Sequence, residues 1–276
     1  MEYLMTYGWA ILIIAVVLGA LFQLGVFNSS SFSPRAPPGA CQVFRPSGPG
    51  TTTNINLMGV CTGQLPQYVG QFNGASSYIN VPDSPSQRGM SALTVAVWWY
   101  ATSWAPTYYG IVSKWTSGTQ RAFVLGYPQA GYLYFFISDG SNTPYATTPL
   151  PSTGAWHFIV GAFTGGTSVS IYVDGALKNS AATNAMTISN EATNPLLIGQ
   201  YATYYGNGII SNVQIYNTSL SANQIQSLYL KGIGGAPSPL QNLVGWWPLN
   251  GDVKDYSGNN NNGVPTAVTF TSQYGK

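Results

Sequence analysis

Seven carboxylates and one imidazole bound the acid–base chemistry open to this chain: Glu2, Asp83, Asp139, Asp174, Glu191, Asp252 and Asp255, with His157. Hydrolysis of a glycosidic bond, retaining or inverting, needs two carboxylates about 5 to 9.5 Å apart. No predicted strand places two acids on one face. His157 lies between Trp156 and Phe158 in an apolar run, which predicts a packed, hydrogen-bonded histidine over a general base. No Gly-x-Ser-x-Gly elbow is present to expose a serine nucleophile. An enzyme is therefore not expected, and no cofactor is required.

Other residue groups suggest binding or assembly. Asp252 and Asp255, followed by Asn259 to Asn262, make an oxygen-rich loop that suits Ca²⁺ or equally an Asx-rich turn without metal. Cys41 and Cys61 are the only cysteines. In an exported chain they read as a disulfide, contributing on the order of 3 kcal/mol, or else as two unrelated thiols. Aromatic residues are dense outside the strands: Trp104, Tyr108, Tyr109, Trp115, Tyr127, Tyr201, Tyr204 and Tyr205. Of these, Trp104, Tyr108, Tyr109, Tyr204 and Tyr205 are the candidates for ligand contact. Such rings stack on sugars or serve as subunit contacts, where Tyr and Trp make compact hot spots. Asn28 and Asn217 fit the N-glycosylation sequon.

Only 6% of the 276 residues are charged and the net charge is +2, against roughly 25% charged in an ordinary domain. The basic residues are scattered singly, so nothing tracks a phosphate backbone and nucleic acid is not an expected partner. A surface this poor in charge risks self-association, so it is glycosylated, packed against copies of itself, or adapted to a harsh outside medium. An extracellular, cell-surface location follows as the expectation.

The elements that must carry these residues fall into three segments. Residues 1–27 contain an uncharged apolar run from Tyr7 to Phe27, about 30 Å long as a helix and so able to span a bilayer. The acid Glu2 precedes it, with no basic flank. A secretory signal would need a basic n-region, and a plain anchor usually has cytoplasmic Lys or Arg. The stretch Met1 to Ile11 (MEYLMTYGWAI) resembles the mature start of archaeal type IV pilin-like proteins that carry a class III signal peptide. That resemblance implies a filament whose core is made of such helices, membrane-inserted before assembly. Glu2 would face a neighbour's positive helix end, and Gly8, Gly19 and Gly25 would allow close helix approach. Residues 28–39, rich in Ser and Pro, form a semi-rigid linker.

Residues 40–276 read as short strands separated by Gly, Asn, Ser and Pro, the pattern of an all-β sandwich. Leu93, Val95, Val97 and Trp99 share one strand face and Trp98 and Tyr100 the other, which predicts a central strand covered on both sides. Ser221 and Gln224 form a capping-box pair at the start of a helix. The pieces FNGASSYINVP (72–82), ALTVAVWW (92–99), GAWHFIVGAF (154–163), IYVDG (171–175), LLIGQ (196–200) and GIISNVQIYNTSLSANQIQSLY (208–229) resemble, in that order, the laminin-G-like jelly roll of the concanavalin superfamily. Ser211-Asn212 stands where that family often has an acidic pair. The resemblance implies a loop calcium held by Asp252, Asp255 and Asn259, with Asp83 as a further ligand. The block from Trp246 to Gly263 is similar to the opening of such a domain, yet it lies at the end of this one. The C-terminal segment 243–276 therefore completes its own sandwich, completes a neighbour's, or is the remnant of a second copy. An unpaired apolar strand invites aggregation, which favours the first. The whole reads as a filament subunit with a β-sandwich head exposed for adhesion to surface glycans, or as a membrane-anchored carbohydrate-binding adhesin that does not polymerise.

Overall fold

The computed structural model describes residues 13–17, 65–104, 108–116, 121–190 and 192–274, with the backbone of 41–44 and 52–55. Of the long apolar helix expected over residues 1–27, residues 13–17 are seen as helix, with Ile13, Ile14, Val16 and Val17 exposed. Among the described residues no helix is long and apolar enough to cross a membrane. Glu2, Gly8, Gly19, Gly25, the linker 28–39 with Asn28, and Cys61 lie outside the described residues, and so does the expected Cys41–Cys61 bond. The chain divides into two units, Met1–Cys41 with Ile55–Cys61, and Gln42–Asn54 with Thr62–Lys276.

Strands β1 (Cys41–Phe44) and β2 (Thr52–Ile55) form a two-stranded ladder. The sandwich proper begins with β3 (Val69–Asn73), β4 (Tyr78–Val81), β5 (Ala92–Ala101), β6 (Val112–Trp115) and β7 (Arg121–Gln129). It continues through β8 (Tyr132–Ile137), β9 (Tyr145–Pro149), β10 (Trp156–Thr164), β11 (Ser168–Val173) and β12 (Ala176–Ala182). Then follow β13 (Leu196–Ile198), β14 (Gln200–Tyr201), β15 (Tyr204–Tyr205), β16 (Asn207–Tyr216) and helix α1 (Ala222–Lys231). The chain closes with β17 (Leu243–Trp247), β18 (Val264–Thr266) and β19 (Thr269–Thr271). One sheet has the order β12-β11-β10-β5-β16-β3-β19, with β17 also paired to β16. The other runs β18-β4-β13-β6-β7-β8-β9.

Alternation decides which residues the two sheets enclose. Leu93, Val95, Val97 and Trp99 of β5 join Leu133, Phe135 and Ile137 of β8 in the main core. The layers approach so closely at Gly161 that a Cβ there would lie 2.5 Å from the Phe135 ring. On the opposite face of β5, Ala96 and Trp98 belong to a second apolar cluster with Phe158, Ile225 and Leu228. The strand is thus covered on both sides, as its sequence predicts, and α1 supplies part of the second cover. Ser221 caps that helix by accepting from the Gln224 N–H, while the Gln224 side chain accepts from the Ser221 N–H at 2.8 Å. Ile225 and Leu228 are its buried residues, each contributing about 1.5–3 kcal/mol through lost apolar surface.

The C-terminal segment folds back onto its own chain. β17 pairs antiparallel with β16 from Val213↔Trp247 to Tyr216↔Leu243, beyond the stretch of β16 that pairs with β3. Trp247 enters the main core and donates its Nε1–H to the Asn261 carbonyl at 2.9 Å. Trp246 enters the second cluster and donates to Asn212 Oδ1 at 2.8 Å. Ser211 and Asn212, polar where an acidic pair was the family expectation, hold this segment: Ser211 Oγ donates to the Pro248 carbonyl and Asn212 Nδ2 to that of Gly235.

Candidate functional site

The outer face of the β4–β9 sheet carries an unusual density of rings. In β8 strict alternation points Leu133, Phe135 and Ile137 inward and leaves Tyr132, Tyr134 and Phe136 outside. Neighbouring strands bring Val124 and Tyr145 into register with Phe136. Tyr134 and Phe136 stack at 5.2 Å with an interplanar angle of 4°, and Tyr145 lies 5.3 Å from Phe136.

Two irregularities in β7 complete this face. Phe123 and Leu125 point into the core, so plain alternation would bury Arg121 and Tyr127 as well. Between Lys114 and Trp115 the partner shifts from Phe123 to Arg121, and between Leu125 and Tyr127 the register with β8 shifts again. Each shift inserts one extra residue into β7, Ala122 and Gly126, and turns the next side chain to the opposite face. Arg121 therefore lies over the Trp115 ring, 5.6 Å from its centroid. Tyr127 stands edge-on to Phe136 at 5.5 Å and to Tyr201 at 5.3 Å. Gly126 has φ +80°, and a Cβ there would fall 2.4 Å from Ile111. Replacing Gly126 with alanine is expected to destabilise the fold by about 1–3 kcal/mol through overpacking and a strained φ, read as a lowered urea midpoint.

These residues wall a groove of about 680 Å³, lined by Tyr108, Trp115, Thr116, Arg121, Val124, Tyr127, Gln129, Phe136, Thr143, Tyr201, Ala202 and Tyr204. The size is that of a small-ligand site. Burial and the neighbouring phenols of Tyr201, Tyr108 and Tyr204 push the Tyr127 hydroxyl up to about 12, so it remains a proton donor at neutral pH.

Two of the five ring residues expected to contact ligand, Tyr108 and Tyr204, are in this groove, 5.9 Å apart. The others are elsewhere. Tyr109 is fully buried in the main core and is corrected to a packing residue. Its neighbour Tyr108, at a bend with φ 77°, lies in the groove. Trp104 packs on the core and stacks on Tyr109 at 6.5 Å, its Nε1–H donated to the Pro151 carbonyl. Tyr205 lies against Tyr78 at 6.1 Å. Trp115, Tyr127, Tyr201, Phe136 and Arg121 take their places, the last two unsuspected from sequence.

The acids expected to hold calcium are committed to other partners. Asp83 Oδ1 accepts from Lys114 Nζ at 2.7 Å and Arg88 Nε at 3.1 Å, and Oδ2 accepts from a second Arg88 nitrogen and the Thr193 N–H. Burial acts to raise this carboxyl, but the hydrogen bonds from Arg88 and Lys114 outweigh it and hold the group at about 2. Asp255 accepts four hydrogen bonds, from the Trp246, Ser257 and Asn261 N–H groups and Ser257 Oγ. Asp252 accepts from the Lys254 N–H and the Tyr256 hydroxyl, and Asn259 Nδ2 donates to the Leu243 and Val244 carbonyls. Calcium takes six to eight oxygen ligands. Asp83 and Asp255, each accepting four N–H or O–H donors, have no lone pair left for it, and among the described residues no three His, Cys, Asp or Glu side chains group to hold a metal. In the structure the loop serves as an Asx-rich clamp on β17.

His157 is hydrogen-bonded on both ring nitrogens: Nδ1 lies 2.8 Å from Asp174 Oδ2 and Nε2 lies 2.9 Å from Ser152 Oγ. The order Ser–His–Asp is that of a charge-relay triad. Here Asp174 also accepts the Phe158 N–H at 2.9 Å, from a turn position with φ 54°, so the chain of bonds ties a hairpin to the strand beside it. The groove is lined by other residues. A fluorophosphonate probe is accordingly expected to leave the chain unlabelled, and adduct formation at Ser152 by mass spectrometry would show a reactive serine.

The fold is a two-layer jelly-roll-like sandwich with a ring-lined groove on the outer face of one sheet. The chain belongs to the laminin-G-type family described as the concanavalin A-like lectin/glucanases superfamily, whose family model matches residues 73–226. Among solved structures it is similar to a Bacteroides ovatus protein described as a candidate carbohydrate-binding protein, at 18% identity and a TM-score of 0.55, over 75% of this chain and 60% of that one. It is also similar to a heptameric SAP-like pentraxin from Limulus polyphemus, at 15% identity and a TM-score of 0.50, over 75% of this chain and 95% of the pentraxin. At these identities the likeness speaks to fold. The chain spans 60% of the Bacteroides protein's length. No curated protein matches it.

Proposed function

We propose that this chain is a carbohydrate-binding protein of the cell exterior, holding a saccharide in the groove on the outer face of β6, β7 and β8. The observation that carries the reading is the convergence of Tyr108, Trp115, Tyr127, Phe136, Tyr201 and Tyr204 on one cavity. Sugar rings present apolar C–H faces flanked by hydroxyls, and Tyr and Trp meet both with an apolar body and a polar tip. The Bacteroides protein of like fold, with its description as a carbohydrate binder, supports the same assignment. The test is a glycan array probed with the full chain. A family of structurally related glycans should be retained, and an array without bound spots contradicts the proposal.

A second reading, polymerisation as a pilin, is favoured by one feature of the sequence. The uncharged run from Tyr7 to Phe27, preceded by Glu2, matches a pilin-type assembly helix, and such a helix needs lipid or sister helices around it. In that reading the head lines the outside of a filament and displays the groove, with Asn217, exposed just after β16, as a glycosylation site. Electron microscopy and mass spectrometry of purified surface filaments test it, and filaments lacking this chain refute it.

A further inference from the structure

Arg121 is, among the described residues, the one charged residue lining the groove, and β7 bulges to put it there. Among the described residues no carboxylate pairs with it: Asp83 is held by Arg88 and Lys114, Asp139 by Asn142 and Ser141, Asp174 by His157, Asp252 by Tyr256, and Asp255 by Ser257 and its neighbours. The Arg121 Nε–H is buried with no hydrogen-bond partner among the described residues. An unpaired buried donor is costly, and more so in a charged group. The guanidinium carbon also lies over the Trp115 ring, 5.6 Å from its centroid, a cation–π contact that holds the group at the groove with its fork of N–H donors suited to a planar or tetrahedral anion.

We infer that the groove selects acidic saccharides, with Arg121 receiving a carboxylate or sulfate while the rings hold the sugar face. This rests on the carbohydrate-binding reading and names the class of ligand that completes it. A neutral sugar would leave the guanidinium unpaired beneath it. An acidic one gains charge-assisted hydrogen bonds in a site walled by rings, where water screens them less.

The experiment is an array of matched oligosaccharides probed with the full chain: galactose oligomers beside galacturonate oligomers, and the same galactose oligomers beside their sulfated forms. The wild type should bind at least one acidic member about 10-fold more tightly than its neutral partner, and the two pairs separate carboxylate from sulfate as the anion. Arg121→Gln should remove that preference while keeping residual binding to the neutral partner. Arg121→Lys should restore part of it. Lys178→Gln, which removes the same charge from an exposed position on β12, should leave it intact, ruling out net charge as the cause. Equal binding of neutral and acidic members, or a preference that survives Arg121→Gln, overturns the inference and leaves the carbohydrate reading standing. Absence of binding to every member, against a wild type of unchanged melting temperature, overturns both.

Discussion

Replacing Asp83 with alanine is expected to lower the stability of the sandwich by about 3–5 kcal/mol. The reason lies in Lys114, whose side chain is 0% exposed and whose ammonium bonds to Asp83 and to the Asn194 carbonyl. Burial already pulls the Lys114 ammonium below the usual lysine range, with Asp83 opposing that pull. Without the carboxylate, a buried cation must either lose its proton or drag its strand toward water. The double variant Asp83→Asn with Lys114→Met should recover most of the loss, because the unpaired charge is then gone. Urea unfolding followed by tryptophan fluorescence separates the two, and equal losses in both variants would contradict the argument. The same pair sets a pH dependence. Asp83 is held below the ordinary carboxyl range, at about 2, so its contribution, about 2 kcal/mol, is complete above the unfolded value near 3.8. It is lost as pH falls from there toward the folded value, and the Asp83→Asn/Lys114→Met variant should lack that acid-limb drop.

Replacing Trp115 with alanine is expected to weaken glycan binding by about 2 kcal/mol or more, roughly 30-fold in Kd, with little change in melting temperature. Trp115 has the features of an interfacial hot spot: a large ring, partly exposed, edge-on to Phe136 and Tyr201 and beneath Arg121. Truncation removes both a stacking surface and the support that fixes the guanidinium. Since the ring faces the groove and is absent from the main core cluster, the fold should persist. Calorimetric titration with the strongest array ligand measures the change, and a Kd within 3-fold of wild type would remove Trp115 from the site.

The architecture was legible wherever alternation ran unbroken. Leu93 to Trp99 announces a central strand because odd and even positions are both apolar, and the structure covers both faces. The capping box at Ser221 and Gln224 is local and appears as expected. The site was legible only in part, because its geometry depends on two bulges. Nothing in the alternation of Arg121 to Gln129 marks Ala122 and Gly126 as extra residues, and alternation alone would turn Arg121 and Tyr127 to the core face. Tyr108 and Tyr109 are indistinguishable by type, yet one lines the groove and the other the core. Asp83 presented itself as a metal ligand because its partners, Lys114 and the Thr193 N–H, are distant in sequence and meet only through strand pairing. The C-terminal block was recognisable by its motif, yet its pairing with β16 depends on Asn212 and Ser211 reaching across to Trp246 and Pro248.

The most direct measurement is a crystal structure of the chain soaked with its strongest array ligand. A sugar ring seated against Trp115 and Tyr127, with an acidic group on Arg121, is the predicted result. Ligand density on the opposite sheet, over α1 or along β12, with the ring-lined groove holding only solvent, would contradict the account.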